Sequence, residues 1–150
     1  MSLMQVSRRV DYALRAAIHL ARQEPEQPAS VSEISEVEGI PKKFLEKILQ
    51  DLIQDGVVVS RRGARGGYLL ARSPDEVSFQ EVMEAVEGPL ALNVCIGEND
   101  QCSMSSSCGM RRIWAEGQRR LDDLFSATKL ADLIISAHPA QISEQSSANL

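Results

Sequence analysis

The sequence has few aromatic residues and no long apolar run. Aromatic side chains make up 4% of its 150 residues and hydrophobic residues make up 43%, which is typical of a helix-rich protein with a core of Leu, Ile, Val and Ala. No apolar segment approaches the ~20 residues that a membrane-spanning helix needs. Charged residues from Arg8 to Arg15 interrupt the region where a signal peptide would lie. These absences predict a cytoplasmic protein without a membrane partner.

The sequence also lacks the residue sets of common enzymes. It contains no nucleophile–base set, no metal-hydrolase motif and no phosphate-binding loop. The glycine-rich run from Gly63 to Gly67 does not lie between a strand and a helix, as a nucleotide-binding turn would. We therefore predict that the chain is not an enzyme and has no small-molecule substrate.

Positive charge is scarce overall but concentrated in one stretch. The formal net charge is −5, yet residues 1–72 carry 11 Lys and Arg against 9 Asp and Glu. Within residues 41–72 the ratio is 7 to 3, whereas residues 73–150 carry 5 basic residues against 12 acidic ones. Binding to DNA requires a basic face rather than a basic protein. The distribution of charge therefore favours a nucleic-acid contact within residues 41–72.

Hydrophobic periodicity and turn residues predict a helix-turn-helix followed by a β-hairpin. A first helix over 8–23 is capped by Ser7, and a short helix over 33–38 is capped by Ser32 and ended by Gly39. A third helix runs from Pro41 to Gln54, and two short strands, 57–60 and 68–70, flank a glycine-rich turn. The third helix is expected to bury one set of side chains, namely Phe44, Leu45, Ile48, Leu49 and Leu52.

The rest of the chain predicts two more helical units around a long loop. Ser78 and Glu81 form a capping box for a helix to Glu87, and residues 88–107 form a loop. A long helix runs from residue 108 or 109 to 125, and Thr128 caps a last helix through Ser136. The fold class is mainly α with a small β-hairpin wing: a winged helix-turn-helix plus a long dimerisation helix. Met1-Ser2-Leu3 resembles an expression remnant, so we expect Met4 to be the native start.

We divide the chain into four parts on this basis. Residues 4–74 form the winged helix-turn-helix, and residues 75–107 form a helix and a cysteine-containing sensor loop. Residues 108–137 form the dimerisation helix and the terminal helix, and residues 138–150 form a flexible tail.

The third helix is expected to enter the major groove of double-stranded DNA. Lys42, Lys43 and Lys47 can reach phosphates, and the free N–H groups of the first turn also favour an anion. Glu46 can accept a hydrogen bond from cytosine but repels phosphate, so it would discriminate between sequences more than it would add affinity.

The hairpin is expected to contact the minor groove. Arg61, Arg62 and Arg65 stand beside Gly66, Gly67 and Tyr68 on a hairpin with little side-chain bulk. An Arg inserted into a narrow minor groove gains from its enhanced negative potential. The alternatives are that the charged side of the third helix is an ordinary solvated face and that the hairpin is an ordinary exposed turn. The combination of a helix-turn-helix followed by this hairpin favours binding to DNA.

Three cysteines, Cys95, Cys102 and Cys108, lie within the predicted loop. Six residues separate Cys95 from Cys102, and five separate Cys102 from Cys108. This spacing lacks the CxxC pairs that are typical of zinc ribbons. In a cytoplasmic protein an odd, clustered set indicates metal or redox chemistry before structural disulfides. Thiolates are soft ligands that suit iron–sulfur clusters or zinc. A vestigial loop, an adventitious disulfide and a metal-free thiol switch stay open.

Several of these strings resemble a known family. Met4-Gln5-Val6-Ser7, Asp11-Tyr12-Ala13-Leu14, Phe44-Leu45-Glu46-Lys47-Ile48-Leu49 and residues 62–70 are similar to the bacterial regulators typified by IscR, NsrR, CymR and RirA, the Rrf2 family, from residue 4 to about 134. The resemblance implies a homodimer joined by the long helix, on partly palindromic operator DNA. It also implies a cluster, expected to be 2Fe–2S, at the three cysteines, which an aerobically prepared sample is expected to have lost.

The fourth ligand of such a cluster differs within the family. IscR-like members carry a His three residues after the last cysteine, where this chain has Arg111, which cannot be a ligand at ordinary pH. NsrR-like members instead resemble this chain at Asp11, so the resemblance implies Asp11 as the metal ligand beside the three cysteines. A surface carboxylate favoured by the helix dipole is the alternative for Asp11. His19 is expected to be packed or exposed on the first helix, and we do not nominate His138.

The predicted function is a DNA-binding transcriptional regulator, expected to be a repressor, whose operator affinity depends on an iron–sulfur cluster or on cysteine redox state. Iron, cluster status, nitric oxide and redox stress all act through similar loops, and all four stay open as the signal. One alternative is a metal-free thiol-redox or zinc-linked regulator of the same fold. Another is a winged-helix protein–protein adaptor that does not bind DNA.

Overall fold

A computed structural model describes residues 5–97, 102–104 and 106–134 of the chain. This part confirms the predicted fold class, because it is mainly helical with one two-stranded antiparallel hairpin, and none of its helices is long and apolar enough to cross a membrane. The predicted tail 138–150, His138, Ser136 and Met4 lie outside the described residues. In chain order the elements are α1 (Arg8–Arg22), α2 (Val31–Glu38), α3 (Lys42–Gln54), β1 (Val58–Arg61), β2 (Gly67–Leu70), α4 (Phe79–Glu87), α5 (Gly109–Ala127) and α6 (Leu130–Ile134).

Local capping sets where the first two helices begin. Ser7 caps α1 as predicted, since its Oγ accepts a hydrogen bond from the backbone N–H of Val10 at 3.2 Å. The prediction of Ser32 as the cap of α2 was wrong. Ser30 has the extended backbone that a cap requires, and its Oγ accepts from the N–H of Glu33 at 3.1 Å, so the helix begins at Val31. Gly39 ends α2 in the left-handed conformation with φ 65°.

The recognition helix candidate α3 buries a narrower face than its sequence predicts. Four of the five expected side chains are buried, namely Leu45, Ile48, Leu49 and Leu52. Phe44 is instead 45% exposed. It lies about 90° around the helix from the middle of that stripe, and its ring meets the edge of Tyr12 on α1, with 5.6 Å between the ring centroids. The prediction that Phe44 is a core residue was therefore wrong.

Small side chains on α1 let other helices pack closely around it. Ala13, Ala16 and Ala17 are fully buried, and α1 packs against α3, α4 and α6. An ion pair between Arg9 of α1 and Asp51 of α3 lies at the margin of this packing. The core is completed by large side chains from the other elements, chiefly Ile34, Ile40, Val57, Val58, Val77, Val82 and Leu130.

The predicted capping box at the start of α4 is confirmed. The Oγ of Ser78 accepts from the N–H of Glu81 at 3.1 Å, and the Glu81 carboxylate accepts from the N–H of Ser78 at 2.8 Å. Burial opposes ionisation of Glu81, but the hydrogen bonds from Ser78 and Arg72 outweigh it and lower the pKa of the carboxyl. The box therefore holds a charged carboxylate at the positive end of α4.

The last part of the chain returns to the start of α4. Thr128 does not cap α6 as predicted, because its Oγ1 donates to the carbonyl of Leu124 at 2.8 Å and so ends α5. Backbone hydrogen bonds then join Phe79 to Thr128 at 2.8 Å and Leu130 to Val77 at 3.0 Å. These bonds carry α6 into the core around α1 and α4.

Candidate DNA-binding surface and cysteine loop

The exposed side of α3 carries the charged residues that the sequence nominates. Lys42, Lys43, Glu46 and Lys47 are all exposed. Lys43 and Lys47 lie on the side of the helix opposite its buried stripe, whereas Lys42 and Glu46 lie at the flanks of that stripe. Pro41 precedes the helix and no side chain caps it, so the N–H groups of the first turn have no side-chain acceptor. The arrangement offers cations and backbone donors to an anion at one helix end, with one carboxylate among them.

The tip of the hairpin is a tight turn of small residues between two arginines. Val58–Arg61 pairs with Gly67–Leu70, and Arg61 lies opposite Gly67. The N–H of Gly66 donates to the carbonyl of Gly63 at 2.9 Å, and a Cβ on Gly66 would lie 2.4 Å from the carbonyl oxygen of Arg61. Only glycine fits there. Arg62 and Arg65 are exposed on this turn.

The base of the hairpin is tied to the loop between α1 and α2. The backbone of Tyr68 donates to Ala29 at 2.8 Å and accepts from it at 3.0 Å. Gly67 has φ 151°, and a Cβ there would lie 2.5 Å from the carbonyl oxygen of Ala29. The side chain of Tyr68 is half-buried against the core. Gly67 and Tyr68 thus fix the hairpin to the helix-turn-helix. The predicted hairpin lacks Ala29, because no local pattern marks this partner.

Arg61 is bound within the protein, unlike the two arginines at the tip. Its guanidinium forms an ion pair with the carboxylate of Glu26 in the α1–α2 loop. Neither Arg62 nor Arg65 has an ion pair or hydrogen bond with the described residues. The three wing arginines therefore differ in how readily their guanidinium groups can bind a ligand.

Asp11 lies in the first turn of α1 and is half exposed. Its carboxylate forms an ion pair with the guanidinium of Arg15 at 2.9 Å, one turn along the helix. Arg15 also lies over the ring of Tyr12, 5.8 Å from its centroid, and reaches the carbonyl of Glu38 at 3.4 Å. Asp11 is thus at the start of a chain of contacts that runs through Arg15 and Tyr12 to Phe44 of α3.

The three cysteines have different surroundings. Cys95 is buried, whereas Cys102 and Cys108 are partly exposed, and Cys108 lies at the N-cap position of α5. Within residues 5–97, 102–104 and 106–134, no three His, Cys, Asp or Glu side chains converge in a way that could hold a metal ion. The donor types suit an iron–sulfur cluster, but the described part of the loop does not gather them.

A buried glutamine fixes the start of the cysteine loop to α5. Gln118 is 8% exposed and is the buried residue of α5. Its Oε1 accepts from the N–H of Leu92 at 2.9 Å, and its Nε2 donates to the carbonyl of Leu90 and the carboxylate of Asp122 at 2.8 and 2.9 Å. We name these contacts the Gln118 clasp. Sequence reasoning missed it, because Gln118 sits among charged residues typical of an exposed face.

A buried histidine joins α1 to α2. His19 is 7% exposed, and its Nδ1 lies 2.9 Å from a carboxylate oxygen of Glu38. Its Nε2 lies 3.1 Å from Gln23 Nε2. Of the alternatives for His19, the structure therefore shows the packed one.

Comparison with known proteins gives the family of the chain. Residues 6–136 match the Rrf2 family, described as an iron-dependent transcriptional regulator. Protein rrf2 of Nitratidesulfovibrio vulgaris is 33% identical over 134 residues, which cover 89% of each chain.

Solved structures of similar fold carry regulator names. CymR, the global cysteine regulator of B. subtilis, has a TM-score of 0.75 and 26% identity, covering 91% of this chain and 100% of its own. IscR of T. potens has a TM-score of 0.72 and 29% identity, covering 92% and 91%. The fold and the class of regulator agree across these comparisons, whereas the family description names iron and the description of CymR names cysteine.

The close approach of Gly67 to Ala29 leads to a stability prediction. We expect Gly67→Ala to destabilise the protein by about 1–3 kcal/mol, since the new Cβ meets backbone and the left-handed φ is strained. Hydrogen exchange of the Tyr68 amide should accelerate. Gly56→Ala is the matched control, because Gly56 has φ 74° with nothing within 4 Å of its Cβ position. Equal denaturation curves for the two variants, with a protected Tyr68 amide, would contradict this prediction.

Proposed function

The chain belongs to the Rrf2 family of transcriptional regulators, and from that premise we propose that it represses transcription by binding operator DNA through α3 and the wing, under the control of its cysteine loop. The observation that carries the proposal is the wing itself. Arg62 and Arg65, which pair with no other residue that the structure describes, stand on a glycine turn whose base is hydrogen-bonded to the α1–α2 loop. A rigid base with free cations at the tip suits a groove-inserting element.

Each candidate residue has a distinct role in this proposal. Lys42, Lys43 and Lys47 bind phosphates that flank the major groove, and Glu46 selects among bases. Arg62 and Arg65 enter the minor groove, while Gly66 and Gly67 allow the backbone of the tip to come close to the DNA. Phosphate contacts release counterions, so binding should weaken steeply with salt.

The wing arginines test DNA binding directly. Replacing Arg62 and Arg65 by Ala should weaken binding to a duplex selected from a random-sequence pool by at least tenfold and flatten its salt dependence, by about 0.9 in the log–log slope per lost phosphate contact. Arg112→Ala, an exposed arginine outside the wing and α3, is the control. A chain from which no sequence can be selected would instead support the protein–protein adaptor.

A second copy of the chain is proposed to pack on α5. This helix of 19 residues leaves three large apolar side chains exposed on one side, namely Met110 at 66%, Ile113 at 61% and Leu124 at 58%. Trp114, Leu121 and Phe125 lie on the neighbouring side and are partly buried. An apolar stripe left outside the protomer is typical of a helix that pairs with another copy.

The exposed stripe of α5 gives a prediction about assembly. Ile113→Asp or Leu124→Asp should convert a dimer to a monomer at micromolar concentration, measured by sedimentation, because a carboxylate would be buried without a partner. Ala115→Asp is the matched control, since Ala115 is exposed on the opposite side of α5. A dimer that survives both stripe substitutions would exclude this interface.

We propose that Cys95, Cys102 and Cys108 hold an iron–sulfur cluster with Asp11, of the same or the other subunit, as the fourth ligand. Three thiolates and one carboxylate supply the four terminal ligands that two sulfide-bridged irons need. When bound, the cluster would supply sensitivity to oxidants and nitric oxide. The chain's own part is to hold the loop: Cys108 begins α5, and the Gln118 clasp fixes residues 90–92. A change in the loop would shift the separation of two recognition helices, which must match half-sites about one helical turn apart.

Anaerobic reconstitution with iron and sulfide tests the cluster. Wild-type protein should become coloured and bind both elements, and each Cys→Ala variant should lose them almost completely. Asp11→Ala should retain iron at first but lose its colour faster in air, whereas Asp55→Ala, an exposed carboxylate outside the loop, should behave like wild type. A colourless wild-type protein without iron would exclude the cluster.

The second candidate is a metal-free thiol-redox regulator of the same fold. The partly exposed Cys102 and Cys108, which the described part of the chain does not gather with Cys95 around a metal, favour it. In that case oxidation would change both the free-thiol count and DNA affinity in protein that contains no iron or zinc.

A further inference from the structure

The three wing arginines differ in their partners, which suggests a control built into the wing. Arg61 stands at the base of the hairpin and is paired with Glu26, which lies 35 residues earlier in the chain. Arg62 and Arg65 stand at the tip and have no ion pair or hydrogen bond with any residue that the structure describes. Among the described contacts, the arginine nearest the helix-turn-helix is therefore the one wing cation that is neutralised before any ligand arrives.

Backbone geometry brings Glu26 to Arg61. In the hairpin Arg61 lies opposite Gly67, and Gly67 lies against Ala29, with Tyr68 and Ala29 exchanging two backbone hydrogen bonds. Glu26 precedes Ala29 by three residues in the same loop. The carboxylate and the guanidinium therefore meet, and both line an open cleft of about 640 Å³ between this loop and the wing.

The backbone of Glu26 is unusual for the residue that occupies it. Glu26 is the one non-glycine residue with positive φ in the described chain, at 68°. That region favours Gly or Asn, and another residue there costs about 1 kcal/mol or more. A carboxylate at a strained, 77% exposed position gains little stability from its surroundings. In the described part of the chain this carboxylate forms an ion pair with Arg61. That pair, rather than a contribution to stability, explains why a glutamate occupies this position.

The energy of the pair makes it suitable as a competitor. Both side chains are well exposed, at 47% and 77%, and exposed ion pairs contribute about 0–1 kcal/mol. DNA phosphate can replace such a partner, but the released carboxylate would then lie near the negative backbone. Every DNA complex that uses Arg61 must therefore first separate it from Glu26.

We infer that Glu26 competes with DNA phosphate for Arg61 and thereby limits the affinity of the wing. This rests on the proposed DNA-binding function. Glu26 is a tuning residue in this scheme: it holds Arg61 away from DNA, while Arg62 and Arg65 supply the contacts that do not require an internal pair to break.

The test compares four variants on one mixed-sequence B-DNA duplex over a range of salt concentrations. Glu26→Gln should tighten binding severalfold, up to about tenfold at low salt, and steepen the log–log salt slope by about 0.9, the value for one added phosphate contact. Glu24→Gln removes the same charge from the same loop and should have a smaller effect, because exposed Glu24 has no ion pair in the described chain. In an Arg61→Ala background, Glu26→Gln should have no further effect on the slope.

Results of three kinds would overturn the inference. Weaker binding by Glu26→Gln would mean that the pair supports the wing rather than competing with DNA. Equal effects of Glu26→Gln and Glu24→Gln, or a Glu26→Gln effect that persists without Arg61, would mean that general charge repulsion is enough. Wild-type protein that binds no duplex even at low salt would overturn the proposed function as well, whereas the first two results would leave it intact.

Discussion

The functional surface depends on one close approach of backbone to backbone, that of Gly67 to Ala29. A hairpin of two four-residue strands is marginal on its own in water. Here its second strand gains two more hydrogen bonds, because Tyr68 pairs with Ala29, and the missing Cβ of Gly67 makes the distance possible. The loop that supplies Ala29 connects α1 to α2. The wing is consequently held by the helix-turn-helix itself, and the same contact places Glu26 beside Arg61.

The distribution of charge along the chain explains how an acidic protein can present a basic surface. The net charge of −5 comes from residues beyond 72, whereas the cations of α3 and the wing stand together in sequence. Distant negative charge is screened within about 8–10 Å at ordinary ionic strength, so it affects the approach of DNA less than the adjacent Glu46 and Glu26 do. Specific carboxylates near the cations, rather than the total charge, therefore decide how strongly this surface attracts phosphate.

Signals that act within a few residues could be predicted from the sequence, and signals between distant residues could not. The Ser7 cap, the capping box at Ser78, the left-handed Gly39 and the hairpin all follow from local hydrogen bonding and periodicity. Phe44 was misplaced because an apolar residue at the edge of a helical stripe can either join the core or cover a neighbour, as it covers Tyr12. The Gln118 clasp and the Ala29–Tyr68 pair join residues 26 to 39 positions apart, and neither has a signature in the residues around it.

The contacts at the two ends of the cysteine loop identify the element that a change in the loop would move. At its start the Gln118 clasp binds Leu90 and Leu92 to α5, and at its end Cys108 stands at the N-cap position of the same helix. Both ends are thus attached to α5, whose outer side carries exposed apolar residues. Gln118 is buried, so separating it from the loop would leave amide groups without partners, at a cost of about 1–3 kcal/mol. A rearrangement among the cysteines is therefore transmitted more readily to α5, and to whatever packs on its outer side, than absorbed where the loop begins.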